Sequence, residues 1–251
     1  MDAETLARLG RADPQLLAPV THRGLEAQVD LAQVRARDAL VRARTLLINH
    51  VRGALKSLGY RAPPAITSHT FAVKVAPVIP GPLQAALGGV VAVIGELAAQ
   101  IGAQDRALEQ RARTRYPETQ ALRQVTGVGL LTALSFVLTV EDPTRFASSR
   151  SVGAYFGLVP RRHQSGGRDP QLRITKTGDR MARRLLVNAA QYILGPFGPP
   201  CDLRRWGETL MSRGGASAKK RAVVAVARKL ATVLHRRWVS GAPYEPVRMA
   251  A

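Results

Sequence analysis

The sequence predicts a mainly α-helical fold: a long antiparallel coiled-coil arm followed by a helical domain that carries a serine-bearing loop and a helix-hairpin-helix. Three observations predict it. Apolar residues recur at helical spacing through two long stretches, 25–58 and 82–115. Strand signals are poor along the whole chain. The shorter apolar segments that follow are separated by Gly and Pro punctuation and contain a Gly-x-Gly turn. The expected units are 1–20, the arm 21–117, the serine domain 118–240 and a tail 241–251.

The elements follow in order. Residues 1–11, MDAETLARLGR, read as a short helix, and Asp13-Pro14 with Ala18-Pro19 as a loop. In the first long helix Val34, Val41, Ile48 and Leu55 recur every seven residues, with Leu40, Leu47, Val51 and Leu58 filling the same face. Gly59 is its C-cap candidate. Residues 61–80 form a Pro-broken connection. In the second helix Leu83, Val90 and Leu97 alternate with Leu87, Ile94, Ile101 and Leu108, an a/d seam. Two such helices joined by a Pro-rich loop make either an antiparallel arm or a seam between two copies of the chain. Arg35, Arg37, Arg42, Arg44, Arg52 and Lys56 form either a solvated face or a nucleic-acid track.

Pro117 breaks the second helix. Leu122 to Ala133 then reads as helix, tight hairpin, helix. Gly127 and Gly129 let the hairpin turn its backbone N–H groups, backed by a helix dipole, toward a phosphate. The alternative is a plain corner that packs Val125, Val128 and Leu131. Asp142-Pro143 starts a turn. Helical pattern resumes at 179–191, a rigid turn falls at Gly195-Pro196-Phe197-Gly198-Pro199-Pro200, and the last helix runs 218–238. Its buried face is Val223, Val226, Ala227, Leu230 and Leu234, and its basic face includes Lys219, Lys220, Arg221, Arg228 and Lys229.

Composition narrows the partner. The chain has 251 residues, 37 basic against 17 acidic, a formal charge of +20 and a pI near 11.5. That balance calls for a polyanion, and nucleic acid is the expected one. Of the basic residues, 31 are Arg and 6 are Lys. Arg suits bidentate phosphate contacts, and a GC-rich genome also favours it. The single cysteine, Cys201, excludes a disulfide framework and a Cys-based zinc site. The five histidines lack ligand spacing. No secretory leader opens the chain, and the apolar run at 125–140 is too short to span a bilayer. A soluble, cytoplasmic protein without a membrane partner is expected.

The chemistry concentrates at 150–190. An apolar segment, Tyr155-Phe156-Gly157-Leu158-Val159, ends at Pro160. A polar loop, Arg161-Arg162-His163-Gln164-Ser165-Gly166-Gly167-Arg168-Asp169, follows, then Ile174-Thr175-Lys176-Thr177-Gly178. A serine hydroxyl is a weak nucleophile until its proton is removed or the charge developing at the reaction centre is stabilised. Gly166 and Gly167 let a nucleic-acid backbone approach Ser165. Arg161, Arg162, Arg168, Arg173, Arg180, Arg183 and Arg184 supply cations for the charge that builds on phosphate oxygens. The same residues also fit a Gly-Gly turn with a solvated serine. No Gly-x-Ser-x-Gly elbow surrounds Ser165, which argues against a serine hydrolase.

Residues 146–160 (FASSRSVGAYFGLVP), then Gln164-Ser165-Gly166-Gly167, then Ile174-Thr175-Lys176-Thr177-Gly178-Asp179 resemble the C-terminal domain of the insertion-sequence one-ten family of transposases. Its members pair a RuvC-like domain with a serine domain. The resemblance implies that Ser165 is the nucleophile and that strands are cut and rejoined through a serine–DNA bond. On this reading Arg161, Arg162, Lys176, Arg180, Arg183 and Arg184 contact phosphates and Gly127 and Gly129 anchor the duplex backbone; the resemblance also implies a structured guide RNA. It implies that 1–20 is a remnant of the RuvC-like domain and that Asp2 matches the last of four acidic metal ligands; in this chain by itself Asp2 reads rather as a helix N-cap. The other three ligands would lie upstream, so the chain is expected to be N-terminally truncated. Magnesium is expected only with a complete RuvC-like domain, and no cofactor with this chain alone. The reading is therefore a DNA transposase or site-specific recombinase that self-associates through the arm. The alternative is a catalytically inactive nucleic-acid-binding remnant of one.

Overall fold

A computed structural model describes residues 3–14, 22–165, 167, 170 and 172–247. The described residues are mainly helical, with ten α-helices and no strand among them. The first, α1 (Ala3–Ala12), buries none of its residues.

The arm is a pair of antiparallel helices, α2 (Leu25–Ser57) and α4 (Gly81–Thr114). α2 ends where expected. Gly59 takes φ 81°, its N–H donates to the Lys56 carbonyl at 3.1 Å, and the Tyr60 N–H donates to Leu55 O at 2.9 Å, closing the last turn as a Schellman motif. The buried row of α4 is Leu87, Val91, Ile94, Ala98, Ile101, Leu108 and Ala112. The expected residues Leu83, Val90 and Leu97 are only half-buried, because the facing row is shifted by one residue to Val91 and Ala98. A third helix shares this side of α4. α3 (Phe71–Val75) lies inside what the sequence reads as a connection, buries Phe71 and Val75, and packs on the flank of α4.

The α2 seam also departs from the heptad. Val34, Ile48, Val51 and Leu55 are buried, whereas Leu58 is exposed and Arg44 lies inside at 8% exposure. The arm core is thereby divided. Ala27, Leu31 and Val34 meet Leu108 and Ala112 at the base. Ile48, Val51 and Leu55 meet Phe71, Val75, Leu87, Val91 and Ile94 toward the tip. Between them lie Gln33 bonded to Gln104, the Arg37–Asp105 ion pair and Arg44 donating to Ser68 Oγ at 3.2 Å.

α4 is, among the described residues, the one helix long and apolar enough to cross a membrane by length and composition. Here one face of it is the inner face of the arm.

The remaining helices wrap one core. α5 (Glu118–Arg123) leads by a short turn into α6 (Leu130–Val140), in which every residue from Thr132 to Val140 is buried. A helix apolar on all sides belongs at a centre. α6 packs on α5, α8 (Arg180–Ile193) and α2, so Leu134 and Leu138 join the base of the arm. α7 (Val152–Tyr155) and α10 (Ala218–Ser240) complete the core. The expected face of α10 is buried throughout, and Gly241 caps it at φ 64°. α9 (Asp202–Ser212), whose burial is confined to Leu203 and Gly207, is an element that the sequence reading left unassigned.

Candidate functional site

The serine loop springs from a fixed base. Phe156 and Leu158 are buried, and Pro160 bridges to Ile174 in antiparallel fashion. The Arg161 N–H donates to Arg173 O, and the Thr175 N–H to Val159 O, both at 2.9 Å. Two glycines make this closure possible. A Cβ on Gly157 (φ 65°) would stand 2.4 Å from the Thr177 backbone, and one on Gly178 (φ 72°) 2.1 Å from Tyr155 O. Lys176 between them holds φ 58°, a strained setting for a residue with a Cβ. Arg183 reaches back from α8, and its Nη1 donates to Thr177 O at 2.6 Å and Phe156 O at 3.2 Å.

Asp179 ends the base and starts α8. Its carboxylate accepts from the Ala182 N–H at 2.8 Å as an N-cap and from Arg35 of the arm at 2.7 Å. Burial alone would raise this carboxyl's pKa. The Ala182 N–H and Arg35 outweigh it and hold the group below the usual carboxylate value. One turn on, Arg184 pairs with Asp38 of the arm at 2.5 Å. Deeper at the arm base, buried Asp30 accepts from Arg111, Arg115 and Tyr116. Burial and the neighbouring Asp30 carboxylate push the Tyr116 hydroxyl pKa upward.

Ser165 is exposed and lines, with His163, Pro170 and Leu172, a cleft of about 490 Å³. Arg161, Arg162, Lys176 and Arg180 are exposed on the loop, its base and the start of α8. Among the described residues no carboxylate lies within ion-pair distance of any of the four. Arg183 and Arg184 are placed otherwise: one holds carbonyls, the other holds the arm. Gly166, Arg168 and Asp169 lie outside the described residues, as does Asp2. Among the described residues no three His, Cys, Asp or Glu side chains gather into a metal site.

The glycine turn lies elsewhere. Gly127 (φ 79°) faces the end of α8, where a Cβ would stand 3.0 Å from Ala189 O and Ile193 Cγ1. Gly129 is exposed at the N-cap of α6 with open space around it. Val125 and Val128 are buried beneath the turn. The serine loop meets the start of α8 and the turn meets its end, so the helix separates them by about 20 Å.

The sequence reading missed the pairings of Asp30, Asp38 and Asp179. Their one signal is the presence of lone acidic residues within arginine-rich helices.

The chain carries a transposase domain: residues 119–200, which include the serine loop, match the family model described as Transposase IS116/IS110/IS902 family. A "Probable family 20 transposase" of Pseudomonas aeruginosa is 31% identical over 240 residues, covering 93% of this chain and 69% of that protein. The transposase for insertion sequence element IS1111A of Coxiella burnetii is 32% identical over 244 residues, covering 89% of this chain and 65% of that protein. The pilin gene-inverting protein of Moraxella lacunata is 28% identical over 113 residues, covering 45% and 34%. The chain belongs to the IS116/IS110/IS902 transposase family and spans about two thirds of the length of the first two relatives.

Proposed function

We propose that this chain is the arm and serine domain of a DNA transposase or site-specific recombinase in which Ser165 attacks a DNA phosphodiester. The setting of Ser165 carries the reading: an exposed hydroxyl in a cleft, on a loop with a clamped base, three and four residues after the exposed Arg162 and Arg161. Ser165 Oγ bonds to phosphorus, the bond from phosphorus to the leaving strand's oxygen breaks, and the serine proton ends on that oxygen. A strand-end hydroxyl then attacks the phosphoserine, which joins the new strands and returns the proton to Ser165. The number of phosphodiesters is conserved, so no external energy source is needed. Arg161, Arg162 and Arg180 stabilise the charge on the phosphate oxygens, and Lys176 extends the basic path. Arg183 and Arg184 act by holding the loop and the arm.

The turn at Gly127 and Gly129 is the duplex-backbone anchor, read as a helix-hairpin-helix. The names of the relatives, transposases and a gene-inverting protein, support rejoining rather than hydrolysis. A structured guide RNA and a magnesium-binding RuvC-like domain complete the family reading. Among the described residues no three His, Cys, Asp or Glu side chains gather to hold magnesium. Exposed Val73, Val78 and Val93 toward the arm tip support self-association there. The protein acts in the cytoplasm, where it meets chromosomal DNA.

The test is adduct formation. Wild-type protein, supplied with a RuvC-like domain, guide RNA and magnesium, is expected to give a protein–DNA adduct that survives denaturing gels and maps to Ser165. Ser165→Ala is expected to bind DNA with nearly unchanged affinity and give no adduct. An adduct from the Ala variant overturns the assignment. Wild-type binding without any adduct identifies a DNA-binding protein without strand chemistry.

A further inference from the structure

Phenylalanine is scarce in this chain, and its five copies are not used alike. Phe71, Phe136 and Phe156 are fully buried, and Phe146 packs edge-on against Tyr155 and His235. Phe197 is 84% exposed. It stands in the turn between α8 and α9, within Gly195-Pro196-Phe197-Gly198-Pro199-Pro200.

The turn is built to hold that ring outward. Prolines on both sides restrict the backbone. Arg204 Nη1 donates to the carbonyls of Ile193, Gly195 and Gly198 at 3.2, 2.8 and 2.6 Å, while its Nε donates to Glu208 at 2.8 Å. A Cβ at Gly198 would stand 2.4 Å from Ile193 O, so only glycine fits. A ring displayed on a clamped backbone has little freedom left to lose on binding.

Its neighbourhood is informative. The last turn of α8 is shared: Ile193 gives its carbonyl to Arg204 and its side chain to Gly127 of the hairpin. Tyr192, one residue earlier, is 49% exposed. An exposed aromatic on a rigid mount therefore follows, four residues on, the helix end that packs on the turn read above as a phosphate anchor.

We infer that Phe197 is a base-stacking residue that packs its ring on a nucleobase of the duplex DNA held at the Gly127–Gly129 turn. The inference rests on the DNA-binding reading proposed above. Stacking on a π-face is tolerant of sequence, and an apolar wedge beside a backbone clamp unstacks one base step. Phe197 thus adds affinity and local opening without choosing a sequence.

The experiment uses the whole chain and short duplexes that carry one aminopurine, a fluorescent adenine analogue, moved along the site. Wild-type protein is expected to change the fluorescence of the probe at one base step. Phe197→Ala is expected to abolish that change and to weaken binding by about 5- to 150-fold, with helicity unaltered. Phe197→Trp is expected to restore both. Equal affinity and an equal probe signal for wild type and Phe197→Ala overturn the inference and leave the DNA-binding reading intact. Wild-type protein that binds no duplex at all defeats the underlying reading instead. A Phe197→Ala variant that loses self-association in sedimentation while its DNA binding and probe signal stay normal also overturns it, and assigns the ring to a contact between copies.

Discussion

Arg35 in the arm reaches Asp179 at the first turn of α8, with Nη2 2.7 Å from Oδ2. One carboxylate caps the helix that follows the serine loop and also ties that helix to the arm. Asp179→Ala removes both contacts and is expected to cost about 0.5–2 kcal/mol, the usual range for a lost cap. Asp179→Asn keeps an acceptor for the cap and is expected to cost less. Urea titration of the two variants checks the order. The pH dependence has a definite sign. The folded carboxyl sits below its ordinary value, so its contribution is present above the unfolded pKa, near 4, and is lost as pH falls through the lower folded value. Unfolding midpoints measured down that acidic range should converge for wild type and Asp179→Asn.

Gly178→Ala is expected to destabilise the protein by about 1–3 kcal/mol, because φ 72° and an approach of 2.1 Å to Tyr155 O leave no room for a Cβ. The same change should shift the loop base and reduce adduct formation at Ser165. Chemical denaturation together with the adduct assay tests both parts. A fully stable, fully active Ala variant would show that the base is not fixed by this contact.

Arg44 lies in the arm core with the hydroxyl of Ser68 as its hydrogen-bond partner, and its Nε is buried without one. Burial and nearby Arg37 lower its pKa, which marks the charged form as disfavoured there. Arg44→Leu is therefore expected to raise arm stability by about 1 kcal/mol. Thermal unfolding followed by helicity measures it, and a lower midpoint for Arg44→Leu would contradict the argument.

Salt should weaken DNA binding steeply if the exposed arginines meet phosphates. With about six phosphates neutralised, affinity should fall about 10³-fold between roughly 50 and 200 mM salt. Arg162→Ala should reduce the slope by about one, and Ser165→Ala should leave it unchanged. A titration with flat salt response would remove the phosphate-tracking role.

The long helices were legible because each repeats an apolar stripe through many turns, and α10 was read down to its buried residues for the same reason. α3 was not, since five residues close to Pro64 and Pro77 carry no period. Arg44 was misplaced to the outside because a charge in a seam is invisible until the partner helix is present. Ser165 could be read as exposed from the Pro and Gly around it. Arg183 and Arg184 could not be told from their neighbours, because their partners are set only in the folded chain: Thr177 O by the turn of the loop base into α8, and Asp38 by the approach of α2 to the start of α8.

The polar layer across the arm sets how the molecule breathes. Its base cluster includes Leu134 and Leu138 of α6 and can open only with the main core. Its tip cluster contains arm residues alone. Amide hydrogens near Val51 and Ile94 should therefore exchange through a partial opening of lower free energy, while those near Leu31 and Leu108 should wait for global unfolding. The arm is thus a lever with a firm root and a yielding end, able to bend at its tip without loosening the domain that carries Ser165.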